Sequence, residues 1–504
     1  MMMNYKKIDR FLSGIMILEA VFMIPALLIC LYDNDVHVAL CFLAAIAIAV
    51  LFTGILRLLG KRPQKGFHSR EGLVCVSSSW ILMSLVGCLP FYFSRQIPSF
   101  VDALFEIVSG FTTTGASILP DVEALSRGLL YWRSFSHWLG GMGVLVLLMV
   151  FLPKSDHNTG STIHLLRAES PGPTVGKLVP RMKQTALVLY GIYVSLTVLN
   201  FLFLLAGGMP LFDSVCTALG TAGTGGFGIK SDSMAGYSPY LQNVTTVFMM
   251  LFGVNFSCYY LLLTRHFLNV WKDEELRAYI GVFLASTALI TWNILHLYSG
   301  VQESLRHAAF QVATVMTTTG FATTDFDLWP SFSKGLLLCL MFVGASAGST
   351  GGGLKFQRLL LLLKNLRRHV HQTLYPNKVQ IVRMNGQRVN EKVLNDTNLY
   401  LIGYALIVVF SFILISIDNF SITTNFSAVV ACFNNIGPGF DVVGPTGNEN
   451  NNIYISNDKT GCNTTMILHP VFLIIRGSSL NLLPVWILVK CDSFQPENPI
   501  HFSK

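Results

Sequence analysis

Charge is scarce in this chain. Only 12% of its 504 residues are Asp, Glu, Lys or Arg, about half the share that soluble domains carry. With 52% hydrophobic residues and a mean hydropathy of +0.54, the composition excludes a water-soluble globule and indicates a polytopic membrane protein. Cys-x-x-Cys pairs are absent, and most of the ten cysteines fall inside apolar runs. That excludes a zinc site and a disulfide framework and leaves the cysteines as small core residues. Metalloprotease and kinase signatures are missing as well. The glycine run ending at Lys355 lacks the Gly-Lys-Ser/Thr of a Walker A loop, and Gly223-Thr-Gly-Gly-Phe-Gly228 follows no strand, so neither nucleotide motif is met. No enzyme and no resident cofactor are expected. The formal charge of +8 sits in short connections rather than on a face with interleaved aromatics, which argues against nucleic acid as a partner. Lipid is the expected surroundings. Phe11 to Leu31, although preceded by Lys6, Lys7 and Arg10, is too long for a signal peptide and reads as an uncleaved first span.

What is present is a fourfold internal repeat. Thr317-Thr318-Thr319-Gly320-Phe321 has a near copy in Thr112-Thr113-Thr114-Gly115-Ala116 and looser echoes in Gly223-Thr224-Gly225-Gly226-Phe227 and Asn434-Asn435-Ile436-Gly437-Pro438. Each follows a semi-polar segment too short to cross a bilayer, and the spacing leaves room for two full crossings per unit. The fold expected is an all-α polytopic membrane protein, with four pseudo-repeats of helix, re-entrant pore loop and helix around a central pore, plus an N-terminal two-helix hairpin. The division is 1–65 for the hairpin, then pore repeats at 66–160, 161–268 and 269–368, a cytosolic linker at 369–396, and a fourth repeat at 397–504. Within these, Tyr131 to Leu152, Leu241 to Leu263 and Phe332 to Leu363 are expected second spans. Of the 35 Lys and Arg residues, most fall at the ends opposite the four loops. The positive-inside bias therefore places the loops on the outer face of a cytoplasmic membrane. The linker is rich in Lys, Arg and His, which suits either a simple connection or docking of a cytosolic partner.

In hydrocarbon, non-helical backbone is tolerated only where protein buries it or water reaches it. Four such stretches around one axis make a ring. Glycine lets successive carbonyls point one way and replace the hydration shell of a monovalent cation. Thr113, Thr224, Thr318 and Asn435, two before each glycine, add small oxygen-bearing side chains. Thirteen before each glycine stand Asp102, Asp213, His307 and Thr424, which suits the polar start of a short pore helix whose negative C-terminal end would favour a cation. Asp121, Asp232, Asp325 and Asp441 follow the glycines, either as ordinary turn aspartates or as an outer carboxylate ring that concentrates cations. In repeat three, Gly344, Ser346, Gly348, Ser349, Thr350, Gly351, Gly352 and Gly353 interrupt an apolar run. They read as an unwound gating segment beneath the filter or as close helix packing, with Lys355 just inside.

These loops, together with the Arg133-Ser-Phe-Ser-His137-Trp-Leu-Gly-Gly-Met-Gly143 run, the GASAGSTGGGLK segment and the two extra N-terminal spans, resemble the TrkH/KtrB family of potassium transport proteins, Trk branch, over residues 1–447. The resemblance implies potassium uptake, a homodimer with one pore per subunit, and regulation by a cytosolic nucleotide-binding ring of the TrkA type, any nucleotide being bound on that partner. Filter roles carry over, mostly through main-chain carbonyls, to Thr113, Thr114, Gly115 and Ala116; to Thr224, Gly225, Gly226 and Phe227; to Thr318, Thr319, Gly320 and Phe321; and to Asn435, Ile436, Gly437 and Pro438. After Gly447 the chain departs from the family pattern. Asn448 to Thr465 is polar, and Met466 to Leu488 is interrupted by His469, Pro470, Arg476, Asn481 and Pro484, so the tail is either a divergent last span or the product of a frameshift. Sodium-coupled or weakly selective cation uptake, and a non-conducting membrane scaffold, are the alternatives.

Overall fold

A long apolar helix leaves no backbone polar group for lipid to satisfy, and the chain is built from such helices. The computed structural model describes residues 4–61, 69–141, 143, 182–378 and 380–445. The later part of the expected span Tyr131 to Leu152, the 154–181 connection and the tail beyond Gly447 lie outside the described residues. Among the described residues, five helices are long and apolar enough to cross a membrane, or six if one bent pair counts as a span. The protein is thus a helical, multi-pass membrane protein.

Helices Tyr5–Tyr32 and Val36–Leu59 form the N-terminal hairpin. Its turn is made by Asn34 at φ +59° and by Asp35, which accepts the Val38 N–H at 3.3 Å. Met16, Met23 and Ala26 of the first helix and Phe42, Ala45 and Ala49 of the second are buried, whereas Leu28, Leu43 and Leu51 are exposed. In a bilayer those outward leucines meet acyl chains.

The helices that precede the four glycine-centred loops are short: Phe100–Phe111, Leu211–Gly223, Val301–Met316 and Ile422–Phe433. At 1.5 Å per residue they reach about 18–24 Å, less than the roughly 30 Å of a hydrocarbon core. Ser99 and Ser421 cap the first and fourth by accepting the N–H of Asp102 and Thr424. The third begins at Val301, well ahead of His307, so His307 lies in the helix body and not at its start.

Two expected spans differ from a straight helix. Leu241 to Leu263 is broken into Pro239–Phe252 and Phe256–Leu263, which meet at 89°. Gly253 ends the first piece, and Asn255 starts the second by accepting the Ser257 N–H at 2.9 Å. The groups freed by the break are taken up by the glycine-rich segment of repeat three: Ser346 N–H donates to Gly253 O at 3.1 Å and Phe256 N–H to Gly348 O at 3.0 Å. Phe332 to Leu363 is likewise divided, with helices Ser331–Met341 and Phe356–Leu374 flanking non-helical residues 342–355. The two interruptions complete each other's hydrogen bonds.

The linker expected at 369–396 is shorter than that, because helices run to Leu374 and restart at Glu391. Between them Arg383–Met384 pairs with Gln387–Arg388 in a small hairpin. Asn385 and Gly386 at φ +49° and +75° form its turn, as the twist of a two-residue connection requires.

Replacing Asn255 by Ala removes the helix cap and is expected to cost about 1 kcal/mol. Thermal denaturation in detergent should show a lowered midpoint for Asn255→Ala and a near-normal one for Asn255→Asp, which can still accept the Ser257 N–H; equal midpoints for Asn255→Ala and the native chain would rule out the capping account.

Candidate ion filter and the segment beneath it

All four short helices end in the same way. The residue two before each glycine, Thr113, Thr224, Thr318 or Asn435, stands in the left-handed region at φ between +50° and +58°. The next N–H reaches back five residues: Thr114 to Ser109 O at 2.9 Å, Gly225 to Gly220 O at 3.0 Å, Thr319 to Thr314 O at 2.8 Å, and Ile436 to Ala431 O at 2.8 Å. This is the Schellman closure of a helix, usually built with glycine at the left-handed position. Placing Thr or Asn there costs about 1–2 kcal/mol each, and strain of that kind collects at functional sites.

The glycine that follows is also left-handed, with φ of +78°, +72°, +91° and +96° at Gly115, Gly226, Gly320 and Gly437. A Cβ on Gly115 would overlap the carbonyl oxygen of Gly225, one on Gly226 that of Thr319, and one on Gly320 that of Ile436. One on Gly437 would stand 3.0 Å from Thr114 O. In every case the oxygen belongs to the residue just before the next loop's glycine. The contacts run from loop one to two, two to three, three to four, and four back to one. The structure therefore brings the four loops together as a closed ring.

The side chains at minus two are tied into the turns. Thr113 and Thr224 hydroxyls donate to the carbonyls of Thr112 and Gly223, at 2.6 and 2.7 Å. Asn435 donates through Nδ2 to Thr112 O and Thr114 Oγ1, both at 2.9 Å, tying loop four to loop one. These groups brace the turns. Paired hydroxyls, Thr112 with Thr114 at 2.8 Å and Thr317 with Thr319 at 2.7 Å, stiffen loops one and three in the same way.

Helix Arg127–Gly141 supports the ring from behind. Arg133, 3% exposed, pairs with Glu106, 0% exposed, and its Nη1 donates to Gly228 O at 2.8 Å. Its guanidinium lies 3.5 Å from the centre of the Phe227 ring. Glu106 also accepts from Ser117 Oγ and the Ile118 N–H, so its lone pairs are well used. His137 stacks on Phe227 with centroids 4.0 Å apart, and its Nδ1 faces the Phe227 N–H at 3.4 Å. Glu106 and Arg133 thus join the exits of loops one and two. In the sequence the Arg133 run carries the family resemblance, and nothing in it pairs Arg133 with Glu106. The available signal was charge within apolar segments, which by default marks a functional position.

The glycine-rich segment lies against the ring of loops. Gly352 N–H donates to Thr318 Oγ1 at 2.6 Å. A Cβ on Gly351 would come within 2.8 Å of Thr317 O, and one on Gly352 within 2.8 Å of the Asn435 Cβ. Thr350 bonds Phe252 O through both its N–H and its hydroxyl, and Lys355 Nζ donates to Gly351 O. Glycine at 351 and 352 permits this close approach to loops three and four.

On the other side, three of the four aspartates that follow the glycines have local roles. Asp121 accepts from the Glu123 N–H and from Ser231 Oγ, bridging repeats one and two. Asp325 caps a short 3-10 turn through the Asp327 N–H. Asp441 accepts from Ser421 and Thr424 hydroxyls at 2.5 and 2.7 Å, contacts that hold its carboxyl below the ordinary carboxylate range. Its N–H donates to Asp327 Oδ2 at 3.1 Å, joining repeats three and four. Asp232 is exposed. Turn and bridging contacts account for three of the four; Asp102 and Asp213 lie in first turns, the latter accepting from Tyr237 OH at 2.8 Å.

The family described as TrkH, a cation transport protein, has a model that matches residues 40–488, reaching past Gly447. Over 452 residues the chain is 36% identical to the Trk system potassium uptake protein TrkH of Salmonella typhimurium, covering 88% of this chain and 92% of that one. It is 32% identical over 378 residues to the Trk system potassium uptake protein TrkG of Escherichia coli, covering 74% and 77%. The crystal structure of the potassium transporter TrkH from Vibrio parahaemolyticus superposes with a TM-score of 0.82 at 27% identity, over 94% of this chain and 97% of that chain.

Truncating Arg133 to Ala leaves Glu106 buried without its counter-charge and is expected to cost about 3–5 kcal/mol. Adding Glu106→Gln should recover part of that loss. Thermal melts of the two variants in detergent test it, and a double variant no more stable than Arg133→Ala would dissolve the pairing argument.

Proposed function

The chain belongs to the TrkH family of cation transport proteins, and from that premise we propose that it takes up potassium across the bacterial cytoplasmic membrane through the four-loop ring. The observation that carries this reading is the ring itself, in which the carbonyl before each glycine lies against the glycine of its neighbour. Main-chain carbonyls arranged around one axis can replace the water around a weakly hydrated monovalent cation. The four short helices end at the ring, so their partial negative charges favour a cation there. In this reading passage follows the electrochemical gradient. The names of the relatives, all potassium uptake proteins or transporters, agree with this reading.

Residues 344–353 serve as the gate in this reading. They are non-helical, they lie against loops three and four, and glycine lets them refold cheaply. A cytosolic nucleotide-binding regulator of the TrkA type docks on the basic linker and shifts the segment, and two copies of the chain pair as a homodimer. Loops two and four depart from the Thr-Thr-Thr-Gly pattern of one and three, which favours weak selectivity or sodium coupling as the second reading.

Expression in an uptake-deficient bacterial host should restore growth at low potassium, and Gly320→Ser should reduce the uptake rate at least tenfold. A Cβ at that position meets Ile436 O in a backbone unsuited to it. Tracer uptake of rubidium with sodium competition checks selectivity, with membrane insertion verified by blot. Normal insertion without any uptake, alone or with a co-expressed regulator, would instead mark a non-conducting scaffold.

A further inference from the structure

One carboxylate grips the glycine-rich segment from the inner side. Glu275, in the first turn of helix Glu274–Ile294, is 4% exposed, and its Oε1 accepts the Ala347 N–H at 2.7 Å. The same carboxylate takes a hydrogen bond from the Gln357 main-chain N–H, at the start of helix Phe356–Leu374. It therefore spans the segment, from Ala347 before the glycine triplet to Gln357 after it. Lys355 lies close enough to offset its charge and bonds Gly351 O.

The turn that carries Glu275 is tied in its other direction to the linker hairpin. Asn385, at the hairpin tip, accepts the Glu274 N–H at 2.9 Å and donates from Nδ2 to Asp273 Oδ2 at 2.8 Å. Lys364 adds a bridge between Glu274 and Arg383 O. Asp273, Glu274 and Glu275 are consecutive at one helix end, so whatever displaces the hairpin displaces all three. From there Ala347 leads to Gly352, which bonds Thr318 at the filter.

We propose that Glu275 is the positioning residue that latches the glycine-rich segment beneath the filter, and that the hairpin at 383–388 sets the latch through Asn385. The inference rests on reading that segment as the gate. A protein docking on the linker would then open the segment without touching it, by pulling on a helix end. Side chains that bond both halves of a bistable element are where such coupling is carried.

Hydrogen–deuterium exchange of the full-length protein, read by mass spectrometry on peptides spanning 342–357, tests the latch independently of any ion. Glu275→Ala should speed exchange there at least tenfold and raise basal rubidium flux severalfold, with the rubidium-to-sodium preference unchanged. Glu275→Gln, which keeps the accepting oxygen, should restore most of the protection. Unchanged exchange in Glu275→Ala overturns the proposal. Should Glu275→Ala speed exchange in every helix, as in a misfolded chain, Asn385→Gly decides: it preserves the turn and removes only an exposed amide. Faster exchange at 342–357 in Asn385→Gly supports the coupling, and no change overturns it. Asn385→Gly should also add nothing to Glu275→Ala, whereas additive effects would separate the two. A native protein that carries no potassium or rubidium would sink the functional reading, while exchange would still judge the latch.

Discussion

Every backbone N–H and C=O inside a bilayer must find a protein partner or water, because hydrocarbon supplies none and each unsatisfied group costs several kcal/mol. Most of this chain meets that demand with long helices. Among the described residues, the main exceptions are the four glycine-centred loops, the glycine-rich segment at 344–353, and the break between Phe252 and Phe256. These exceptions are not scattered. The break and the segment satisfy each other, the segment bonds loop three, and the loops close on one another. Irregular backbone has been gathered into one connected region, where water and an ion can meet it.

Rigidity in that region comes from unusual sources. The Schellman closures hold Thr113, Thr224, Thr318 and Asn435 in a conformation that favours glycine, and side-chain bonds from three of them keep the turns in place. The buried pair of Arg133 and Glu106 spans the exits of loops one and two. A buried ion pair is a poor source of net stability, since desolvation cancels most of its attraction. What it supplies here is geometry, because an unpaired partner in this environment is strongly penalised and the two loop exits are therefore fixed together.

Much of this was legible in the residues. The fourfold recurrence of a small polar residue two before a glycine marked the loops, since such a pattern has no purpose on an ordinary helix face. The glycine excess at 344–353 marked a break, because adjacent glycines destabilise a straight helix. Other features were not legible. Gly253-Val-Asn255 is too ordinary a tripeptide to signal an 89° bend, and the bend exists because the glycine-rich segment, about ninety residues later, supplies its hydrogen bonds. The residues alone gave no sign that the Thr113, Thr224 and Thr318 hydroxyls bond the main chain. For Asp121, Asp325 and Asp441 the residues alone left turn aspartates and an outer ring as alternatives, and the structure adds that their carboxylates hold turns and neighbouring repeats.

Local composition and recurrence thus determined the class of the molecule and the positions of its four glycine-centred loops and its glycine-rich segment. Hydropathy and backbone satisfaction act residue by residue, so they can be read along the chain. Which loop adjoins which, how Glu106 finds Arg133, and how Glu275 reaches both Ala347 and Gln357 depend on contacts between segments far apart in sequence. Only the tertiary structure decided those, because a hydrogen bond is specified by where two groups meet in space and not by either group alone.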